Sequence, residues 1–324
     1  LPACALLRSL SNVQEIVMGD ALGAQYGYVP PVDQLLTLGD LRGQPRYDYL
    51  SLGLRPEDVT ALIAMAGDDA LWQADSEAVE VWAPVHAWRA LGDLRAEEAI
   101  APLLRLLSKP VEDGYDDWLH GDMPDVFAQI GPAAIAPLSA YLRAPGHDVW
   151  ARSTAASSLS HIALAASESR DTVVKILSDT IEDNLSRRRP PNEPDMILNG
   201  SVIAELIELR AIDTADVIAR AFAAGRVDET ISGDLEDVQI ALGLRAKRDT
   251  PARNYFREAY GPMGEEPSVD DALPDDEPER QDRFADLPPL PTPGSSVRRV
   301  TVERKAKSKR KMAQQSRKQN RKKK

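Results

Sequence analysis

The chain is 324 residues long and acidic, with 51 Asp and Glu against 39 Lys and Arg, a net charge of −12, and only 5% aromatic residues. Ala and Leu dominate its apolar set. Small and unbranched side chains pack helix against helix, so the composition argues against a β-sandwich or barrel and for an all-α protein.

In chain order, residues 1–32 read as an N-terminal segment with one helix over about 5–22, stopped by Tyr26-Gly27-Tyr28-Val29-Pro30-Pro31. No charged stretch followed by a clean apolar run opens the chain, so no signal peptide is expected. Nowhere does an apolar run approach the roughly 20 residues that span a bilayer, and no membrane partner is expected. The single cysteine, Cys4, cannot close an internal disulfide or build a thiolate metal site, and it fits a reducing, cytoplasmic compartment.

Residues 33–250 carry a repeat. The tetrapeptide Ile-Ala-Pro-Leu recurs at 100 and 135, within ALGDLRAEEAIAPLLRLLS (90–108) and AQIGPAAIAPLSAYLR (128–143). Pro132 takes the place of Glu97 and suits position N1 of a helix, where a missing N–H costs little. Pro102 and Pro137 both fall about five residues into their helices, where each removes a hydrogen bond. A misfit shared at one register marks a repeat more firmly than shared leucines do. Looser copies of the second helix lie at 55–69, 170–183 and 213–225, and first helices precede at about 79–91, 122–130, 149–164 and 197–209. Anchored on Val59, Ile100, Ile135, Val173 and Val217, the spacings are 41, 35, 38 and 44. Apolar residues three and four apart, as in Val173, Ile176, Leu177 and Ile181, give each helix one buried stripe. A two-helix unit at this period predicts an α-solenoid of about five helix pairs, with SRRRPPNEP (186–194) as a loop between units.

From residue 251 the pattern dissolves. Residues 251–297 read as a disordered, acidic, Pro-rich linker, with 11 acidic residues over 258–286 against Arg280 and Arg283. Residues 298–324 form a basic tail with 14 Lys and Arg against Glu303, which leaves 25 excess negative charges on residues 1–297.

The turns ALGDLRAEEAIAPLL and QIGPAAIAPL resemble HEAT repeats of the subclass first described in phycobilisome lyases. WAPVHAWRALGDL, DMPDVFAQIGPAAIAPL and WARSTAA together resemble bacterial HEAT-repeat proteins, some of which have Lys/Arg-rich C-terminal ends. The resemblance covers about residues 33–247. It implies an α-solenoid and a scaffolding role, because HEAT arrays commonly serve as scaffolds and only a few are enzymes. It also implies a lesser alternative, an accessory subunit like those of bilin lyases, although no residue marks a bilin.

Chemistry-bearing motifs are scarce. The four histidines, His86, His120, His147 and His161, are followed by Ala, Gly, Asp and Ile, not by the Glu of a HEAT-fold di-iron site, and no spacing suits zinc. His86 and His161 read as packing residues within helices, and His120 and His147 as loop residues. No nucleophile elbow or phosphate loop is present. The reading is of a protein with no catalytic, cofactor or metal residues.

Trp82, Trp118 and Trp150 recur at spacings of 36 and 32, near the starts of three successive first helices, each within two residues of an acid. Stacked repeats would set the three rings along one edge. They read either as packing between repeats or as an aromatic ladder for an extended partner, and they are the candidate partner-binding residues. A base-handling cleft like that of HEAT-like DNA glycosylases is disfavoured by the acidic body. Trp88 is expected in the core, and Arg89 and Arg152 as bridges between repeats. In the tail, Arg304, Lys305, Lys307, Lys309, Arg310, Lys311, Arg317, Lys318, Arg321, Lys322, Lys323 and Lys324 are candidate polyanion contacts. The leading expectation is a non-catalytic protein-interaction scaffold whose partner is a protein. The alternative is an RNA- or ribosome-associated adaptor that uses the tail.

Overall fold

The computed structural model describes residues 21–41, 46–109, 117–253 and 255. The chain divides into two compact units at Thr250/Pro251. Most of the expected helix over 5–22, nearly all of the acidic linker and the whole basic tail lie outside the described residues. Among the described residues all regular structure is helical, and no helix is long and apolar enough to cross a membrane.

The first unit contains α1 (Val59–Ala66), α2 (Asp69–Trp72), α3 (Ala83–Asp93), α4 (Ile100–Leu107), α5 (Asp117–Ile130) and α6 (Ile135–Arg143). After these come α7 (Val149–Ala165), α8 (Arg170–Ser186), α9 (Glu193–Glu208), α10 (Ala215–Ala223), α11 (Glu229–Ser232) and α12 (Leu235–Ala241). Helices α3, α5, α7 and α9 each pack on the next and make one layer; α4, α6, α8 and α10 do the same and make the other. Buried side chains run without a break from Val32 to Leu242 between these layers.

The second-layer helices α4, α6, α8 and α10, and α1 before them, are each entered through a three-residue 3₁₀ turn: Pro56–Asp58, Glu97–Ala99, Pro132–Ala134, Ser167–Ser169 and Ile212–Thr214. Pro102 and Pro137 stand third in α4 and α6, just past that turn. The missing N–H thus falls in the first α-helical turn, where donors are short of partners anyway. The second helices start at 59, 100, 135, 170 and 215; the copy expected at 170–183 begins at its expected residue, and the repeat anchors Val173 and Val217 are fourth in α8 and third in α10.

Two layer-to-layer turns share a left-handed residue that is not glycine. Arg95 (φ 52°) and Arg210 (φ 50°) each follow a first helix, and each closes the same cap. Ala96 N–H donates to Leu91 O at 3.0 Å and Arg95 N–H to Gly92 O at 2.9 Å; Ala211 and Arg210 repeat this with Leu206 and Ile207 at 2.9 Å each. Both sit in a Leu-Arg-Ala tripeptide, 94–96 and 209–211. At the end of α5 the position is Gly131, φ 101°.

The stack is irregular at its ends. Ahead of α3 no long first helix lies among the described residues; 3₁₀ turns at Val32–Thr37 and Tyr49–Leu52 pack on α3 instead. At the other end, α11 and α12 close over α9, and α12 is tied to the following segment by Arg248 with Asp234 and Asp237, and by Arg245 with Glu236. Closure needs a glycine: a Cβ on Gly200 of α9 would lie 2.9 Å from the Asp228 backbone oxygen and 3.2 Å from Ile231 Cβ. Gly200→Ala should therefore cost about 1–3 kcal/mol in urea unfolding, because backbone must move. Gly121→Ala, exposed in α5 with nothing within 4 Å, should instead add about 0.5–1 kcal/mol.

Candidate functional site

The first-layer helices run parallel, with their N-termini along one edge. Residues early in one helix touch residues early in the next, as in His120–Thr154 (2.7 Å), and later residues touch later ones, as in Asp125–His161 (2.8 Å). Trp82 ends the 3₁₀ turn Val79–Trp82 that leads into α3, Trp118 is second in α5, and Trp150 is second in α7. All three predicted tryptophans thus stand at N-terminal helix starts on that edge.

Their environments differ. Trp82 and Trp118 are half-buried against the core and meet edge to face, ring centroids 5.0 Å apart at 88°. That geometry is favoured by the ring quadrupoles. Trp150 is 44% exposed. The neighbouring acids are engaged in local bonds: Asp148 caps α7 by accepting from the Trp150 N–H at 2.8 Å, and Glu80 accepts the Tyr26 hydroxyl at 3.4 Å. Tyr28 donates its hydroxyl to Asp68 at 2.8 Å, and burial together with that carboxylate pushes its phenol pKa well above the usual range.

Trp88 is buried in the core, as its sequence spacing predicted. Its Nε1 donates to Asp122 Oδ2 (3.0 Å), and the adjacent Arg89 Nε donates to the same oxygen (2.7 Å), so both tie α3 to α5. Arg152 bridges differently from an exposed ion pair. It is buried at 4% exposure and donates Nε to the Leu142 backbone oxygen in the last turn of α6, at 2.7 Å. A guanidinium there satisfies a carbonyl at the negative end of a helix.

The histidines do not converge. His161 pairs with Asp125 across α7 and α5, and His147 stacks on Tyr141 at 3.8 Å, in the loop expected for it. His120 is corrected: it lies inside α5, buried at 9% exposure, because α5 starts five residues earlier than its apolar periodicity suggested. Among the described residues no cluster of three or more His, Cys, Asp or Glu could hold a metal ion. A cleft of about 300 Å³ between α1 and α4 is lined by Ile63, Leu91, Pro102 and Leu106, with the Lys109–Asp69 ion pair beside it.

No family model, curated protein or solved structure matches the chain. Function is therefore carried by the geometry. The groups sequence reading missed are arginines: Arg187 and Arg189 pair with the buried Asp195, and Arg226 donates to the backbone oxygens of both. The triple arginine of SRRRPPNEP was the available signal, and it reads as a plain loop until the buried Asp195 is seen beneath it.

His86 yields a pH prediction. It is buried between Tyr49 (hydroxyl to Nδ1, 2.8 Å) and the Gly39 carbonyl (Nε2, 2.8 Å), and burial lowers its pKa from 6.5 to about 4. The unfolded chain then takes up the proton first. Stability is intact above pH 6.5 and falls as pH drops toward 4, by about 3 kcal/mol from this residue. Urea unfolding at pH 7 and pH 4.5 should show a shallower loss in His86→Gln than in wild type; parallel losses would count against the assignment.

Proposed function

We propose that residues 33–250 form a HEAT-like α-solenoid of about five helix pairs that acts as a non-catalytic protein-interaction scaffold. Support for the solenoid comes from the two helix layers, the recurring 3₁₀ entry turns and the Leu-Arg-Ala caps. The observation that carries the scaffold reading is Trp150, a large ring 44% exposed at the start of a helix, in line with the Trp82–Trp118 pair. Exposed tryptophan at a rigid helix start offers wide contact area with little side-chain entropy to lose on binding. An extended peptide is the partner whose shape suits a row of helix ends. The net negative charge of residues 1–297 repels polyanions from the body itself.

The three rings separate binding from folding. Trp150→Ala should reduce capture of protein partners at least tenfold, with helical circular dichroism and urea midpoint unchanged. Trp82→Ala or Trp118→Ala should also lose about 2 kcal/mol of stability, since each removes a half-buried ring from its partner. Partner capture by Trp150→Ala equal to wild type would sink the reading.

A second reading, an RNA- or ribosome-associated adaptor, rests on the 14 Lys and Arg of residues 298–324. Such a segment binds phosphates by releasing counterions, without base choice. Deleting residues 298–324 should abolish RNA binding that weakens steeply with salt, while helicity stays constant. Equal binding by both forms would remove the tail from the account.

A further inference from the structure

The loop between α8 and α9 holds more positive charge than its own contacts neutralise. Asp195, in the first turn of α9, is 1% exposed, and its two oxygens accept from Arg187 at 2.8 Å and Arg189 at 2.7 Å. Arg226, 8% exposed, donates Nη2 to the backbone oxygens of the same two arginines, at 3.0 and 2.6 Å. Its Nη1 is buried without a hydrogen-bond partner. Arg152 completes the group: burial, then repulsion from Arg187, lowers its pKa, and attraction to Asp195 opposes that.

Carbonyl contacts hold Arg152 and Arg226 in place, but they do not balance their charge. A helix C-terminus supplies about half an elementary charge. Among the described residues neither arginine forms an ion pair, and the nearest acids in sequence, Asp148 and Asp228, cap the N-termini of α7 and α11. Arg187 and Arg189 share Asp195, Arg226 is bonded to the backbone of both, and Arg152 interacts with Arg187 and Asp195, so four guanidinium groups meet one paired carboxylate and two of the four are nearly buried. A buried charge without a counter-charge is strongly destabilising, so the arrangement calls for an anion. The way in is at the rim, where the side chains of Arg187 and Arg189 are 26% and 48% exposed.

We propose that Arg152, Arg187, Arg189 and Arg226 form a binding site for a phosphate group, with Arg187 and Arg189 meeting the ligand at the rim and the other two supplying charge from below. A phosphate dianion matches the excess better than a single carboxylate does, and its oxygens suit the paired N–H donors of a guanidinium fork. The site is independent of the scaffold reading, since it stands on charge balance within the loop.

Isothermal titration of the full chain at fixed ionic strength tests it, with inorganic phosphate, O-phosphoserine and acetate as separate probes. The expected result is one saturable site for phosphate or O-phosphoserine, at least tenfold weaker for acetate. Tighter binding of O-phosphoserine would identify a phosphorylated side chain as the source of the group, and tighter binding of inorganic phosphate a free anion. Arg226→Met should abolish the site, and Arg189→Gln, which leaves Arg187 on Asp195, should weaken it about tenfold with helical circular dichroism unchanged. Diffuse binding to the basic tail would be unchanged by both substitutions. No saturable site in the wild type, or equal affinity in Arg189→Gln, overturns the proposal.

Discussion

The layer helices of the first unit, α3 to α10, each pack on a helix of the adjoining pair to cover their apolar stripes. A two-helix unit has too little interior to bury both of its helices alone, so the core between the layers is completed only when neighbouring pairs stack. Polar contacts follow the same rule, joining residues about one period apart. Trp88 and Arg89 reach Asp122, His120 reaches Thr154, Ser108 reaches Tyr141, Arg143 reaches Asp179, and Arg220 reaches Glu182. Taken singly, the exposed pairs are worth about 0–1 kcal/mol. Their value is in register: a slip by one helical turn would break all of them together.

Side-by-side stacking also determines where chemistry can gather. Parallel first helices bring their N-termini to one edge, and that edge collects what the sequence scatters over 32 to 36 residues at a time. Trp82 touches Trp118 only because α3 and α5 are aligned to the same depth. Likewise Arg187 and Arg226 meet only because α8 and α10, with the segments that follow them, are neighbours in the second layer. The aromatic and basic groups belong to the same architectural feature, the junction where one helix pair hands over to the next.

Much of the fold was legible because the repeat writes the same physical demand several times. Ile100-Ala-Pro-Leu and Ile135-Ala-Pro-Leu both begin an α-helix after a 3₁₀ turn, and Pro132 occupies N1 as its spacing implied. Legibility failed where the demand was met by polar residues. His120 was read as loop because α5 opens with polar and aromatic residues, ahead of the apolar stripe that marked its expected start at 122. Leu-Arg-Ala, with its arginine in the left-handed region, was visible twice but carries no glycine to announce the turn.

The sequence by itself determined the helical class, the two-helix period and the positions of three tryptophans at helix starts. Those follow from local causes: side-chain periodicity, proline placement and the small-residue composition that lets helices approach. Only the tertiary structure decided which tryptophans are half-buried and which is exposed, and that Arg187 and Arg189 share one buried carboxylate with Arg152 and Arg226 beside them. Burial and charge balance are properties of the whole neighbourhood, and residues that make up one neighbourhood here lie up to 74 positions apart, from Arg152 to Arg226.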